Sequence, residues 1–197
     1  RGATVSTIPS AEFRHGKTRN LLAERSTGEF LVFLTQDAKP ASDKWLANLV
    51  EGCDSDPSIA GAFGPHRAHK EARHITHREL DAHFAGFGST LGLTRLDDAA
   101  RFESDLGYRQ FLHFFSSNNS CIRRSVWEKL PLPDVASAED QTWALEAIKA
   151  GYAKAYVPDA VVFHSHDFGI WETFQRNFDE ARSFQRYFGY NMQSGLL

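Results

Sequence analysis

The run Phe-Leu-Val-Phe-Leu-Thr at 30–35 constrains the fold more than any other stretch. It leads directly into Gln36-Asp37-Ala38, with Pro40 soon after. A continuous apolar run of this length fits a strand covered on both faces, as in a parallel α/β sheet. Its neighbours carry the covering helices. Residues 16–29 read as a helix stopped by Gly28. Residues 42–57 read as a second, with Ser42 as cap and Trp45, Leu46, Leu49 and Val50 on one apolar face. Short strands are expected at 3–9 and 58–66. This alternation is the α/β signature.

Residues 67–113 are less regular, with one helix expected near 74–85 and then a long loop. A strand and a short helix at 123–129 follow. The spacing then predicts a helix over 137–152, capped by Ser137 and stopped by Gly151. Two extended pieces flank Pro158. The last segment, with Ile170, Trp171, Phe174, Phe178, Phe184 and Phe188 at helical spacing, predicts a long amphipathic helix.

Net charge is −3 and the pI about 6.3, which leaves no electrostatic footprint for nucleic acid. No apolar run approaches the roughly 20 residues of a membrane span. Two cysteines, Cys53 and Cys121, form no C-x-x-C pair, so a reducing cytoplasm is the expected compartment.

Four places could carry chemistry. Asp37 stands at the end of a buried strand, where open α/β sheets bind ligands. It suits a hard divalent cation, or merely opens a turn. Asp140 shares a helix face with Trp143 and Ala144, so desolvation would raise its pKa and favour a general base. The same Ser-x-x-Asp pattern is also a capping box, in which Asp140 would only satisfy backbone donors. Glu139, about 100° round the helix, is expected towards solvent or an acceptor. His164 and His166 alternate onto one face of an extended segment and could hold a metal or a phosphate. Lys17 and Arg19 lie at a helix start, a place that favours phosphate.

The stretches "EFRHGKTRN", "FLVFLTQDAKP", "SSNNSCIRRSVWEKLPLP" and "AEDQTWALEAIKAGYAKAYVPDAVVFHSH", in this order, resemble the inverting family-2 glycosyltransferases of GT-A fold. Within these, the likeness is to the bacterial rhamnosyltransferase-like branch that builds surface polysaccharides. It covers roughly residues 8–170. It implies a GT-A-like, Rossmann-type sheet flanked by helices over 1–168, with 169–197 as a C-terminal amphipathic helix. It also implies an N-terminally incomplete chain, because no V-V-I-P-T-x-N stretch precedes the first strand.

The resemblance assigns roles. Asp140 is the expected base, with Glu139 beside it. Asp37 matches the last aspartate of a D-x-D metal motif whose first position is Thr35, which weakens the site for magnesium or manganese. His164 and His166 would complete it. Arg19, Asn20, Gln36, Asp37, Asn118 and Asn119 would line the donor pocket. The implied reaction moves a sugar, rhamnose among the candidates, from a nucleotide-diphosphate donor to a saccharide or lipid-linked acceptor with inversion. A cytoplasmic protein is implied, with residues 170–188 open to oligomer or peripheral membrane contact. Two alternatives stand beside this one: a non-catalytic saccharide- or partner-binding module, and a metal-dependent hydrolase built on Asp37 and the histidines.

Overall fold

The computed structural model describes residues 2–190. The last seven residues of the predicted C-terminal segment, 191–197, lie outside that range. Its main sheet has five strands: β1 (Phe30–Leu34), β3 (Ile59–Phe63), β5 (Gly92–Thr94), β6 (Asn119–Arg123) and β7 (Ala153–Tyr156), in the order β1-β6-β3-β7-β5. A small second sheet has the order β2-β8-β4, from β2 (Lys39–Pro40), β8 (Val162–Phe163) and β4 (His66–Arg67). The helices are α1 (His15–Glu24), α2 (Trp45–Asp54), α3 (His74–Ala85), α4 (Ala99–Ser104), α5 (Leu106–His113), α6 (Arg124–Trp127), α7 (Glu139–Lys149) and α8 (Ile170–Phe188).

The sheet is mixed rather than parallel. Among the described residues of the main sheet only β3 and β7 pair in parallel; β6 runs antiparallel to both β1 and β3, and β5 runs antiparallel to β7. Among the described residues β1 pairs with β6 alone. The apolar run is therefore unevenly covered: Leu31 is buried, while Leu34 is 40% exposed.

Strand alternation splits the core in two. On one face Ile122, Phe63 and Phe115 pack with Trp143 of α7 and Val126 of α6. On the other, Cys121, Ala62 and Ala155 meet Trp45, Leu49 and Cys53 of α2. Both thiols are buried and free. Leu46, expected on the buried face of α2, is half exposed; the inward face is Trp45, Leu49 and Cys53, one residue in four.

Other expectations are corrected. Residues 3–9 form no strand; they are largely exposed and lead to a 3-10 turn at Ser10–Glu12. The long loop after α3 contains β5 and two helices, α4 and α5. Their signals are aspartate caps: Asp98 accepts from the Arg101 N–H at 2.8 Å and Asp105 from the Tyr108 N–H at 3.0 Å. Ser42 and Ser137 cap nothing through their side chains.

Asn119, expected in the donor pocket, is fully buried at the head of β6. Its amide accepts from the Trp45 indole N–H (2.8 Å) and donates to the Ala160 carbonyl (2.7 Å). Its backbone carbonyl accepts from the Gly64 N–H. Gly64 lies so close that a Cβ there would sit 2.0 Å from the Ala160 oxygen. Asn119 thus ties α2, the end of β3 and the approach to β8 together, with no polar atom left for a ligand.

Two outcomes test this framework. Asn119→Leu strands the Trp45 donor and the Ala160 acceptor, each at about 1–3 kcal/mol; urea unfolding should report the loss, and an unchanged midpoint would refute the hub. Ala138, which starts α7, is left-handed at φ 56°, the only non-glycine with positive φ among the described residues. That conformation costs an L-residue about 1–2 kcal/mol. Ala138→Gly should therefore hold or raise the unfolding midpoint, and Ala138→Val should lower it.

Candidate functional site

Asp140 occupies the first turn of α7. Its Oδ1 accepts from the Gln141 N–H (2.9 Å), and its Oδ2 reaches back to the Ser117 N–H (2.9 Å). The capping box is absent, since the Ser137 hydroxyl instead meets the Ser183 hydroxyl of α8 at 2.5 Å. Asp140 is reached by solvent yet closely surrounded by protein. Burial, then the charge of Glu139, outweighs its backbone hydrogen bonds and the more distant Arg19, and raises its pKa to about 6.

Glu139 does not face solvent. It is buried, and its carboxylate is paired with the Arg19 guanidinium of α1; the two side chains are only 8% and 12% exposed. Asn20, the next residue of α1, is bonded on both sides of its amide. It donates to the Leu132 carbonyl at 2.8 Å and accepts from the Trp127 indole at 2.9 Å and the Leu132 N–H at 3.1 Å. The expectation that Asn20 lines a donor pocket gives way to an anchoring role.

Arg19, Glu139 and Asp140 open onto one cleft of about 570 Å³, which Asn118 also lines. Its opposite wall comes from α8, through Arg176, Asp179 and Glu180. The sequence pattern of α8 shows an apolar stripe with charged residues off it, and by itself ties none of these charges to a site. That stripe divides. Phe184 is buried against His113 of α5, which also stacks on Phe188, whereas Ile170, Trp171, Phe174 and Phe178 are 58–94% exposed. No helix among the described residues is long and apolar enough to cross a membrane.

A second group forms beyond β1. Asp37 lies in the turn between β1 and β2, where the Ala38 N–H meets the Thr35 carbonyl at 3.1 Å. β2 pairs with β8, placing Lys39 opposite Phe163, so His164 and His166 emerge beside that turn. Asp37 Oδ1 is 3.5 Å from His164 Nε2, and Oδ2 is 3.3 Å from His166 Nε2. One ligand atom from each of the three lies within 4.8 Å of the others. Gln36, in the same turn, is exposed.

The charge states suit a cation. Burial alone would raise the Asp37 pKa, but the Thr35 hydroxyl, its own backbone and the two imidazoles together hold it below the usual value. Burial pulls His164 down, against the opposing pull of Asp37. An ionised carboxylate and a neutral imidazole are the forms that ligate metal. The donor set therefore fits a divalent ion, with the two imidazoles favouring a transition metal over magnesium.

The two groups are joined by residues the sequence reading did not single out. Ser116, beside Ser117, has its hydroxyl 3.3 Å from Nε2 of His66, the first residue of β4. The His66 ring packs edge-on to His164 at 5.1 Å. Burial, then nearby His164 and His83, lowers the His66 pKa to about 3, so it is neutral at pH 7. A continuous path runs from Asp140 through the 116–117 loop and His66 to the Asp37 cluster. His66 offered a sequence signal, a histidine at a strand end, but nine histidines in the chain dilute it.

Comparison with known proteins agrees with this architecture. No family model matches the sequence. The chain is 37% identical over 182 residues to the O-antigen chain rhamnosyltransferase RfbN of Salmonella typhimurium strain LT2, covering 91% of this chain and 55% of that protein. It is 33% identical over 178 residues to the O-antigen chain rhamnosyltransferase WbaN of Salmonella anatum, covering 89% and 53%. The chain thus spans about half the length of the curated relatives it matches. In fold it resembles the mannosyltransferase PcManGT of Pyrobaculum calidifontis, solved with GDP-Man and Mn2+ (TM-score 0.57, 16% identity, 90% of this chain and 44% of that one). It also resembles residues 1–349 of S. aureus TarS (TM-score 0.53, 16% identity, 92% and 55%). Over about half of their length the chain is similar in sequence to O-antigen rhamnosyltransferases, and its fold is GT-A-like.

Proposed function

We propose that this chain carries the catalytic centre of an inverting, family-2 glycosyltransferase of surface polysaccharide biosynthesis. It moves a sugar, rhamnose by likeness to its relatives, from a nucleotide-diphosphate donor to a saccharide or lipid-linked acceptor on the cytoplasmic side. The observation that carries this reading is Asp140, a carboxylate with a raised pKa in an open cleft, beside a second carboxylate already neutralised by Arg19.

The acceptor hydroxyl enters that cleft and gives its proton to Asp140 as its oxygen attacks the anomeric carbon. The bond from that carbon to the diphosphate oxygen breaks, and its electron pair leaves with the diphosphate. The Ser117 N–H holds the carboxylate in place through this step. Attack from the face opposite the leaving group inverts the anomeric centre. A divalent cation, when bound, supplies positive charge to the departing diphosphate. Asp37, His164 and His166 are the residues that would hold it, and the two imidazoles offset the loss of a carboxylate at Thr35. Gln36 and Asn118 remain the donor contacts with exposed or half-buried side chains.

Three outcomes follow. Asp140→Asn should cut transfer about 10²- to 10⁴-fold, the usual worth of a general base. Unchanged turnover would remove Asp140 from the mechanism. The wild-type rate should rise with pH through about 6, because the carboxylate works only once deprotonated; a profile flat from pH 5 to 8 would contradict this. Calorimetry should detect manganese binding to the chain that is lost in Asp37→Ala and in His164→Ala/His166→Ala. Equal binding by these variants would place the cation elsewhere.

A further inference from the structure

The stretch "HGKTRN" suggested a basic helix start for phosphate, but its side chains are turned to another use. Gly16, Arg19 and Asn20 lie at i, i+3 and i+4, on one face of α1. All three meet the segment that leads into α7. A Cβ on Gly16 would sit 2.2 Å from the Pro133 carbonyl oxygen and 3.6 Å from the Glu139 Cβ, so only glycine lets α1 come this close. Asn20 pins Leu132 by both its N–H and its carbonyl. Arg19, between them, closes on Glu139.

We propose that Arg19 is a positioning residue: its buried ion pair commits the Glu139 carboxylate to the guanidinium and leaves Asp140 as the carboxylate of the pair open to an acceptor in the cleft. This rests on the transferase reading above. Two adjacent carboxylates in a poorly solvated place resist ionising together. Their environments must differ if one is to act as base. Here the difference is geometric. Both line the cleft, but Glu139 is buried with a guanidinium closed on it, while Asp140 has two backbone N–H donors and is partly exposed. Other charged or titratable groups line the cleft around Asp140: His15 of α1, and Arg176, Asp179 and Glu180 of α8. Among the described residues that line the cleft, Arg19 and Glu139 form the one ion pair.

The test is a charge cycle at the pair, read by carboxyl-carbon NMR titration of the full chain and by the pH dependence of transfer. In Arg19→Gln the Glu139–Asp140 pair should take up its first proton about one pH unit or more higher. The acid limb of the rate profile should move with it, and Arg19→Lys should recover part of the shift. In Glu139→Gln the guanidinium is left to Asp140, whose titration should fall. The double variant Arg19→Gln/Glu139→Gln should return Asp140 towards its wild-type position. That variant strands no charge, so with Glu139→Gln it carries the test if Arg19→Gln fails to fold. Folded variants whose carboxyl titrations match the wild type would overturn the proposal. Titrations that move as stated, in a chain that transfers no sugar, support the ion-pair assignment and count against the transferase reading alone.

Discussion

The buried amide of Asn119 is the contact on which the functional edge of this fold depends. It sits where β6 begins, between the edge strand β1 and the parallel pair β3 and β7. From there it holds the indole of α2 and the carbonyl that precedes β8. β8 in turn carries His164 and His166 to the turn that follows β1. The loop before Asn119 supplies the Ser117 N–H to Asp140. One buried side chain thus links the supports of both candidate groups. Buried amides are costly unless every donor and acceptor is met, and this one is met entirely by protein.

Charge is distributed with the same economy of partners. Glu139 is buried and paired with a guanidinium, while Asp140 is crowded and held only by backbone N–H donors, so adjacent residues of one helix turn have opposite fates. Asp37 lies in the reverse situation, held ionised by neighbours that would share a cation with it. The strained backbone at Ala138 lies immediately before the carboxylate pair.

Much of the site was legible in the sequence because its residues lie at element ends that local pattern predicts. Asp37 ends an apolar run, Asp140 opens a helix, and His164 and His166 alternate after Pro158. Asn20 and Asn119 differ from expectation for a common reason: an asparagine beside a motif looks the same whether it meets a ligand or a carbonyl. Glu139 was misplaced because helix periodicity cannot see an arginine 120 residues away. The loop of 86–113 hid two short helices whose aspartate caps were present but whose apolar faces were too short to announce them.

The sequence by itself determined the α/β class, most of the helices and strands that carry the candidate site, and the carboxylates and imidazoles available for chemistry. These follow from local periodicity, caps and residue type. Tertiary structure alone decided the mixed direction of the sheet, the partner of Glu139, the burial of Asn119 and the meeting of Asp37 with the histidines. Each depends on which distant segments pair and how closely they approach, and pairing is set by packing of the whole core rather than by any window of the chain.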